Sequence, residues 1–273
     1  MRPPIYEPSG PAREYSPLAI NTYLECGHGC KYCYVPVHIH KKFNEFFVKS
    51  AKPRNHTNMM KELEKQLNKL KEQGKCIKDQ VLFSFTSDPY TPSVDSNWIT
   101  ERALEILAHY DVPTAILTKN PLRAYADIHI IKKFSQFQIG TSLTVWDDED
   151  CELWEPYAPK YEYRLQGLEQ FQKEGIRTFV SMEPVISPYH SLTILKDLVK
   201  RGIGEVVKLG KMNGFWEQKL PPIDYPEYLQ KALDILRPSG KGIYVKEDLR
   251  TSAPNVQLTD REKDMDFYNL KVN

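Results

Sequence analysis

No stretch of the chain is long and apolar enough to span a bilayer, and the N-terminal Met1-Arg2-Pro3-Pro4 opens no apolar run of the kind a secretory leader needs. Net charge is nearly absent: 37 Lys and Arg stand against 36 Asp and Glu, a formal +1, so no overall field calls for a polyanion. Low-complexity segments, an obvious internal repeat and a recognisable nucleic-acid-binding motif are also missing. Cysteine is scarce and odd in number, at five, which argues against a disulfide framework and for a reducing, cytoplasmic setting. These absences exclude a membrane span, a secreted disulfide scaffold and a charged, disordered tail protein. They leave 273 residues of ordinary globular composition, 41% hydrophobic and 27% charged, enough to bury a full core.

What cysteine there is lies crowded. Three of the five fall in Cys26-Gly27-His28-Gly29-Cys30-Lys31-Tyr32-Cys33, spaced Cys-x3-Cys-x2-Cys. Thiols so close suit one small thiolate-binding ion or cluster rather than separate disulfides. Three ligands are one short of a closed structural site, which leaves a metal position for a substrate or cofactor. A Cys3His zinc site completed by His28, His38 or His40 is the alternative, and it would make the chain a binding module without catalysis.

The pattern around this loop alternates strands and helices. Leu18–Leu24 reads as a strand that delivers the chain into Cys26. Met59, Met60, Leu63, Leu67 and Leu70 keep helical spacing up to Gly74. Strands are then predicted at 81–85, 113–117, 138–143, 177–182, 205–209 and 242–246, with helices at 98–109, 122–134, 161–173, 191–200 and 226–236. About seven strands with helical crossovers predict a parallel α/β sheet, a complete or partial TIM-type barrel. Residues 1–15, with several prolines, are expected to form a surface extension, 16–250 the barrel, and the polar 251–273 a tail or edge cover.

In a parallel barrel, chemistry gathers at the C-terminal ends of the strands. Those ends carry Thr86-Ser87-Asp88-Pro89-Tyr90, Thr118-Lys119-Asn120, Ser142 and Thr144, Glu183 within Ser181-Met182-Glu183-Pro184, then Lys208, Lys211 and Asn213, and finally Lys246 and Glu247. Ser, Thr and Asp at such places also cap the helices that follow. Ionisable groups such as Lys119, Glu183, Lys208 and Lys246 rarely point into a barrel without a partner or a ligand. Val37 to His56 forms a basic segment with Phe43, Phe46 and Phe47, expected to cover the core from outside, with a phosphate-contacting patch as the sharper reading.

The cysteine spacing, Tyr32 just before the last cysteine, and the strand that precedes the loop together resemble the radical S-adenosylmethionine (radical SAM) superfamily. Within it the chain looks most like the spore photoproduct lyase-like, or DNA repair photolyase-like, branch. That likeness rests on Tyr32-Cys33-Tyr34, Thr86-Ser87-Asp88, Thr118-Lys119 and a stretch from Glu155-Pro156 through Arg164-Leu165 to Gly175 and Pro184, over roughly residues 15 to 215. The resemblance implies a partial (β/α)6-type barrel with Cys26, Cys30 and Cys33 on three irons of a [4Fe–4S] cluster and the fourth iron chelating S-adenosylmethionine. It places Ser87, Lys119 and Ser142 at the methionine end, with Tyr32 and Asp88 beside them, and implies an electron donor such as flavodoxin or ferredoxin. Tyr34, Tyr90, Glu183 and Lys208, with Lys211 and Lys246, are then candidates for the substrate side. The branch suggests a nucleic-acid substrate, and a peptide or small metabolite is the alternative. One departure stands out. Phe85 occupies the position of the branch's hydrogen-donating cysteine, and neither Cys76 nor Cys151 aligns with it. Cys151 is expected in a loop or at the surface. No second cysteine cluster is present, which argues against auxiliary clusters.

Overall fold

The computed structural model describes residues 3–54, 56–212 and 214–272. Its seven strands are β1 (Leu18–Ile20), β2 (Val81–Phe83), β3 (Thr114–Leu117), β4 (Phe137–Ser142), β5 (Arg177–Met182), β6 (Val206–Leu209) and β7 (Gly242–Val245). They form one parallel sheet in the order β1-β2-β3-β4-β5-β6-β7. Sheet order follows chain order because each crossover brings the chain back alongside the strand it has just left. The predicted parallel α/β class is therefore the class observed, with β1 and β7 as free edges of an open barrel.

Alternation along the strands sorts side chains between two faces. Ile20, Phe83, Ile116, Ile139, Val180, Val207 and Val245 belong to the large core that also holds Leu63, Leu104, Leu165, Leu195 and Leu229 of the surrounding helices. Each such fully buried aliphatic or aromatic side chain contributes about 1.5–3 kcal/mol. The intervening residues face the barrel axis: Leu82 and Ala115 cluster with Tyr15, and Phe179, Val206 and Tyr244 with Tyr268. Gly140 lies on that inner face, where a Cβ would sit 2.3 Å from the Phe179 ring, so only glycine lets β4 and β5 close around it.

Helices occupy His56–Glu72, Trp98–His109, Tyr161–Lys173, Pro188–Arg201 and Tyr225–Leu236, close to expectation. The single helix expected over 122–134 is instead broken into Pro121–Ala124, a 3-10 turn at Tyr125–Asp127 and Ile128–Ile131. The turn tightens at the buried Asp127, whose carboxylate accepts the Tyr90 hydroxyl from the core at 2.8 Å. An additional helix, Asp148–Trp154, has no clear apolar period and starts on a side-chain cap, Asp147 accepting from the Asp150 N–H at 2.8 Å. Among the described residues no helix is long and apolar enough to cross a membrane.

The ends of the chain lie against the sheet. Tyr6 pairs antiparallel with Ala19 on β1, and Glu14 accepts from the Tyr244 hydroxyl on β7 and from the Glu247 N–H, at 2.7 and 2.9 Å. Residues 6–15 thus bridge the two free edges, and Tyr15 is buried inside the barrel. At the opposite end of the chain Met265, Tyr268 and Leu270 are buried. Asn269 accepts from Gln80 at 3.0 Å, and Tyr268 covers the N-terminal end of the barrel.

Candidate functional site

The strand predicted over 18–24 stops at Ile20 because Asn21 turns inward. Its side-chain oxygen accepts from the Phe85 and Thr86 amides at 2.9 and 3.0 Å, tying the exits of β1 and β2 together. The cysteine loop starts from that junction. Gly27 N–H donates to Thr91 Oγ1 at 2.8 Å, and Cys26 N–H reaches the Phe46 carbonyl at 3.4 Å. Gly29 takes φ +69°, and a Cβ there would lie 2.9 Å from the Tyr157 ring. Cys26 and Cys30 are buried and Cys33 half-buried, and all three thiols are free. Burial pushes Cys26 up to about 11 and Cys33 to about 12. Burial also raises Cys30, against the pull of Lys119 and with a push from the other two thiols. Thiolates here need added positive charge, which a metal centre supplies.

The loop after β2 faces the cysteines. Ser84 donates to the Ser87 carbonyl, while Thr86 Oγ1 and Ser87 Oγ are buried without a partner. Asp88 organises the next turn by accepting from Tyr90 N–H at 2.8 Å, Thr118 Oγ1 at 2.6 Å and Lys119 N–H at 2.8 Å. The buried His28 lies 3.0 Å from the same carboxylate. Burial alone would raise Asp88, but His28 and these hydrogen bonds hold it down to about 2.

Lys119 leaves β3 beside Tyr32, its Nζ 5.4 Å from the ring centroid and 3.6 Å from Glu155. Glu155, 1% exposed, is the centre of this half of the site. It accepts from Tyr32, from Arg164 and, at 3.0 Å, from Thr144. Arg164, also 1% exposed, donates to the carbonyls of Pro159 and Ser142 at 2.6 and 2.8 Å, which fixes the end of β4. Burial opposes the Glu155 charge, yet Arg164 and Lys119 hold the carboxyl down to about 2. Burial would lower Lys119, but Cys30 and Glu155 raise it, so it stays a cation.

The β5–β7 half is polar too. Tyr15 hydroxyl pairs with Ser181 Oγ at 2.6 Å and donates to Glu183 at 2.8 Å, and Glu183 is ion-paired with Lys246. Lys208 is buried with no hydrogen-bond partner for its Nζ, which sits 4.2 Å from the Phe179 ring centroid and 4.9 Å from that of Tyr15. Burial and Arg177 depress its pKa to about 7, with Glu183 working the other way.

The fold therefore brings together Cys26, Cys30, Cys33, Tyr32, Ser87, Asp88, Lys119 and Ser142 on one half, and Glu183, Lys208 and Lys246 on the other. Tyr34 is exposed, and its hydroxyl donates to the carbonyl of Phe85 at 2.6 Å. Tyr90 points instead into the helix-side core toward Asp127. Lys211 turns away to Ser252 and Glu217, at 3.0 and 2.9 Å, and Asn213 lies outside the described residues. Cys151, expected at the surface or in a loop, is 2% exposed in a helix, its Sγ 3.7 Å from Arg164. Arg164 and the apolar residues beside Cys30 draw it inward. Glu155, Arg164, Tyr15 and Asn21 carry no spacing signal that marks them as site residues. Glu155 and Arg164 stand out in sequence only as part of the family-like stretch.

Among the described residues Asp147, Asp150 and His190 bring ligand atoms within 4.8 Å of one another. A zinc site on the three thiols would need a histidine as its fourth ligand. His38 and His40 are exposed, and His28 faces Asp88. The three free thiols would suit a cysteine-held cluster, and the unpartnered Ser87 hydroxyl and the Lys119 ammonium would suit a polar cofactor bound with it. The Asp147–Asp150–His190 group is a poor metal site, since His190 Nδ1 already accepts the Trp146 N–H at 3.0 Å.

An open parallel α/β barrel with three free thiols at its C-terminal mouth defines a class of metal-cluster enzyme scaffold. The chain matches the Radical SAM superfamily over residues 20–201, more than half its length, and it belongs to that superfamily. The superfamily performs radical chemistry with a [4Fe–4S] cluster and S-adenosylmethionine, and its enzymes need a reductant. An uncharacterized protein of Methanocaldococcus jannaschii, MJ0683, is 27% identical over 187 residues, covering 67% of this chain; the match spans 64% of that relative's length. A mutant of spore photoproduct lyase superposes with a TM-score of 0.61 at 15% identity, over 86% of this chain and 75% of that one. Another mutant of that lyase, with bound AdoMet and dinucleoside spore photoproduct, gives 0.55 at 13% identity, over 81% and 61%. Streptococcus suis SuiB bound to precursor peptide SuiA gives 0.60 at 14% identity, over 88% and 52%. At these identities the structural likeness is one of fold.

Proposed function

We propose that Cys26, Cys30 and Cys33 ligate three irons of a [4Fe–4S] cluster, and that Ser87, Lys119 and Ser142 bind the methionine end of S-adenosylmethionine. The observation that carries this reading is the convergence of three buried thiols with a buried, unpartnered serine hydroxyl and a charged lysine at adjacent strand ends. When bound, the pair supplies reductive cleavage of the sulfonium to methionine and a 5′-deoxyadenosyl radical that abstracts a substrate hydrogen atom. Lys119 offers its ammonium to the cofactor carboxylate, with Glu155 holding it in place. Asp88 sets the Lys119 backbone, and Tyr32 closes the space between Lys119 and Glu155. The inner-face apolar residues and Tyr15 keep water out of the barrel.

The substrate side in this reading is the β5–β7 half, where the unpartnered Lys208 Nζ beside the Glu183–Lys246 pair receives a polar group. A nucleic-acid-related substrate is the reading we favour, supported by the likeness to a spore photoproduct lyase with bound dinucleoside spore photoproduct. Phe85 offers no thiol, so hydrogen return in this protein runs through another group. Tyr34, hydrogen-bonded to the Phe85 carbonyl, is the candidate for that role.

Anaerobically reconstituted protein with dithionite is expected to form 5′-deoxyadenosine and methionine. Deuterium from a labelled oligonucleotide appears in 5′-deoxyadenosine, and deuterium from a labelled peptide does not; the reverse overturns the substrate assignment. Lys119→Ala is expected to weaken S-adenosylmethionine binding about 10- to 100-fold, the worth of one charged hydrogen bond, while stability changes by less than about 1 kcal/mol. Equilibrium dialysis beside a urea melt checks this, and an unchanged dissociation constant removes Lys119 from the site.

A further inference from the structure

The basic segment remains unexplained by the barrel chemistry. Residues 31–54 contain six Lys and Arg and one acidic residue, Glu45, a formal +5 with histidine neutral. The whole chain is only +1, so everything outside these 24 positions sums to −4. This stretch therefore carries a local excess of positive charge, and it is wrapped on the cysteine loop. Val35 and Phe46 are buried in a cluster with Cys26, and Cys33, Ile39 and Phe47 pack against it. Cys26 also bridges to Phe47 through the backbone. The basic side chains face the other way: Lys31, Lys41, Lys42, Lys49, Lys52 and Arg54 are all exposed. Among the described residues only Lys41 of this set has an acidic partner, Glu25 at 3.9 Å.

We propose that this collar, 31–54, is the docking face for an acidic one-electron donor protein, delivering the reductant over the cysteine loop. The inference rests on the reading of Cys26, Cys30 and Cys33 as cluster ligands. Electron transfer falls steeply with distance, so a donor must sit over the loop that holds the acceptor, and the collar is what covers it. Its inward apolar side shields the thiols, and its outward cations steer an anionic partner. The local +5 on the collar, in a chain of net +1, gives an anionic partner one face to approach.

The test uses reduced flavodoxin, an acidic donor, with the reconstituted full chain and with a Lys42→Glu/Lys49→Glu/Lys52→Glu variant. These side chains are exposed, and none of them is among the residues assigned to the cofactors. Dithionite-driven 5′-deoxyadenosine formation is expected to be unchanged in the variant, which reports that it is folded and loaded. With flavodoxin at low salt, the half-saturating donor concentration is expected to rise about tenfold or more. The steep salt dependence of the unaltered protein, visible as the Debye length shrinks from about 10 Å at 0.1 M toward about 3 Å at 1 M, flattens in the variant. A binding titration with oxidised flavodoxin, which needs no turnover, shows the same split. An unchanged flavodoxin affinity and salt slope overturns the proposal, as does a variant that loses oligonucleotide binding but keeps its flavodoxin affinity. Absence of dithionite-driven product from the unaltered protein refutes the cofactor reading instead, and the binding titration still judges the collar.

Discussion

Replacing Cys30 with alanine is expected to abolish 5′-deoxyadenosine formation while leaving the barrel folded. Cys30 is the middle cysteine of the Cys-x3-Cys-x2-Cys loop, 6% exposed and packed with Tyr32, Val145, Cys151, Ile186 and Met212. With Cys26, Cys30 and Cys33 as the proposed ligands, two remaining thiolates would not hold the cluster, so the loss is of the whole activity rather than of a fraction. The structural cost is small, about 1 kcal/mol for one sulfur removed from a modest apolar cluster. The checks are iron and sulfide content, product formation with dithionite, and a thermal melt on the same preparation. A reconstituted variant that still forms 5′-deoxyadenosine would sink the ligand assignment. A variant that fails to fold is met by Cys30→Ser, which keeps the volume and loses the thiolate.

Glu155→Gln is expected to be the most destabilising single substitution in the site. The carboxylate is fully buried, pairs with the buried Arg164 and lies 3.6 Å from Lys119. Removing its charge leaves two cations facing each other without an anion, which costs about 3–5 kcal/mol. The pH dependence follows from the direction of the shift. The folded-state pKa is depressed from 4.5 to about 2, so Glu155 stabilises the fold fully above the unfolded value, and that contribution disappears as pH falls from about 4.5 to about 2. The stability difference between the unaltered protein and Glu155→Gln is therefore largest at neutral pH and shrinks toward about pH 2. Urea melts at about pH 7 and about pH 3 measure it, and a difference below about 1 kcal/mol at neutral pH refutes the central place of Glu155. S-adenosylmethionine affinity should fall as well, since Lys119 loses the partner that aims it.

Many of the residues that line the candidate site could be named before the fold was known. The three cysteines are close in sequence, so their spacing alone implies a shared ion or cluster. Lys119, Ser142, Glu183 and Lys208 could be found because a parallel barrel puts every strand end on one face, and strand ends can be read from apolar periodicity. Tyr90 shows the limit of that reading. It follows the second strand as closely as Ser87 does, yet the Asp88 turn swings its ring into the helix layer, onto Asp127. Lys211 fails in the same way, drawn out to Glu217 and Ser252. Two or three residues past a strand end, loop geometry decides direction, and periodicity carries no information about it.

By itself the sequence determined the parallel α/β class, the place of the cysteine loop at the end of the first strand, and the superfamily those residues mark. All three rest on local relations: alternation within a strand, the helical period of about 3.6 residues, ligands a few residues apart. Only the tertiary structure decided which groups serve those ligands. Glu155 meets Tyr32 across 123 residues, Tyr15 meets Glu183 across 168, and Lys208 loses its water because Phe179 and Tyr15 close over it. Such pairs are set by where the barrel brings distant strand ends together, and by the cost of burying a charge without a partner, a cost that exists only once the chain has folded around it.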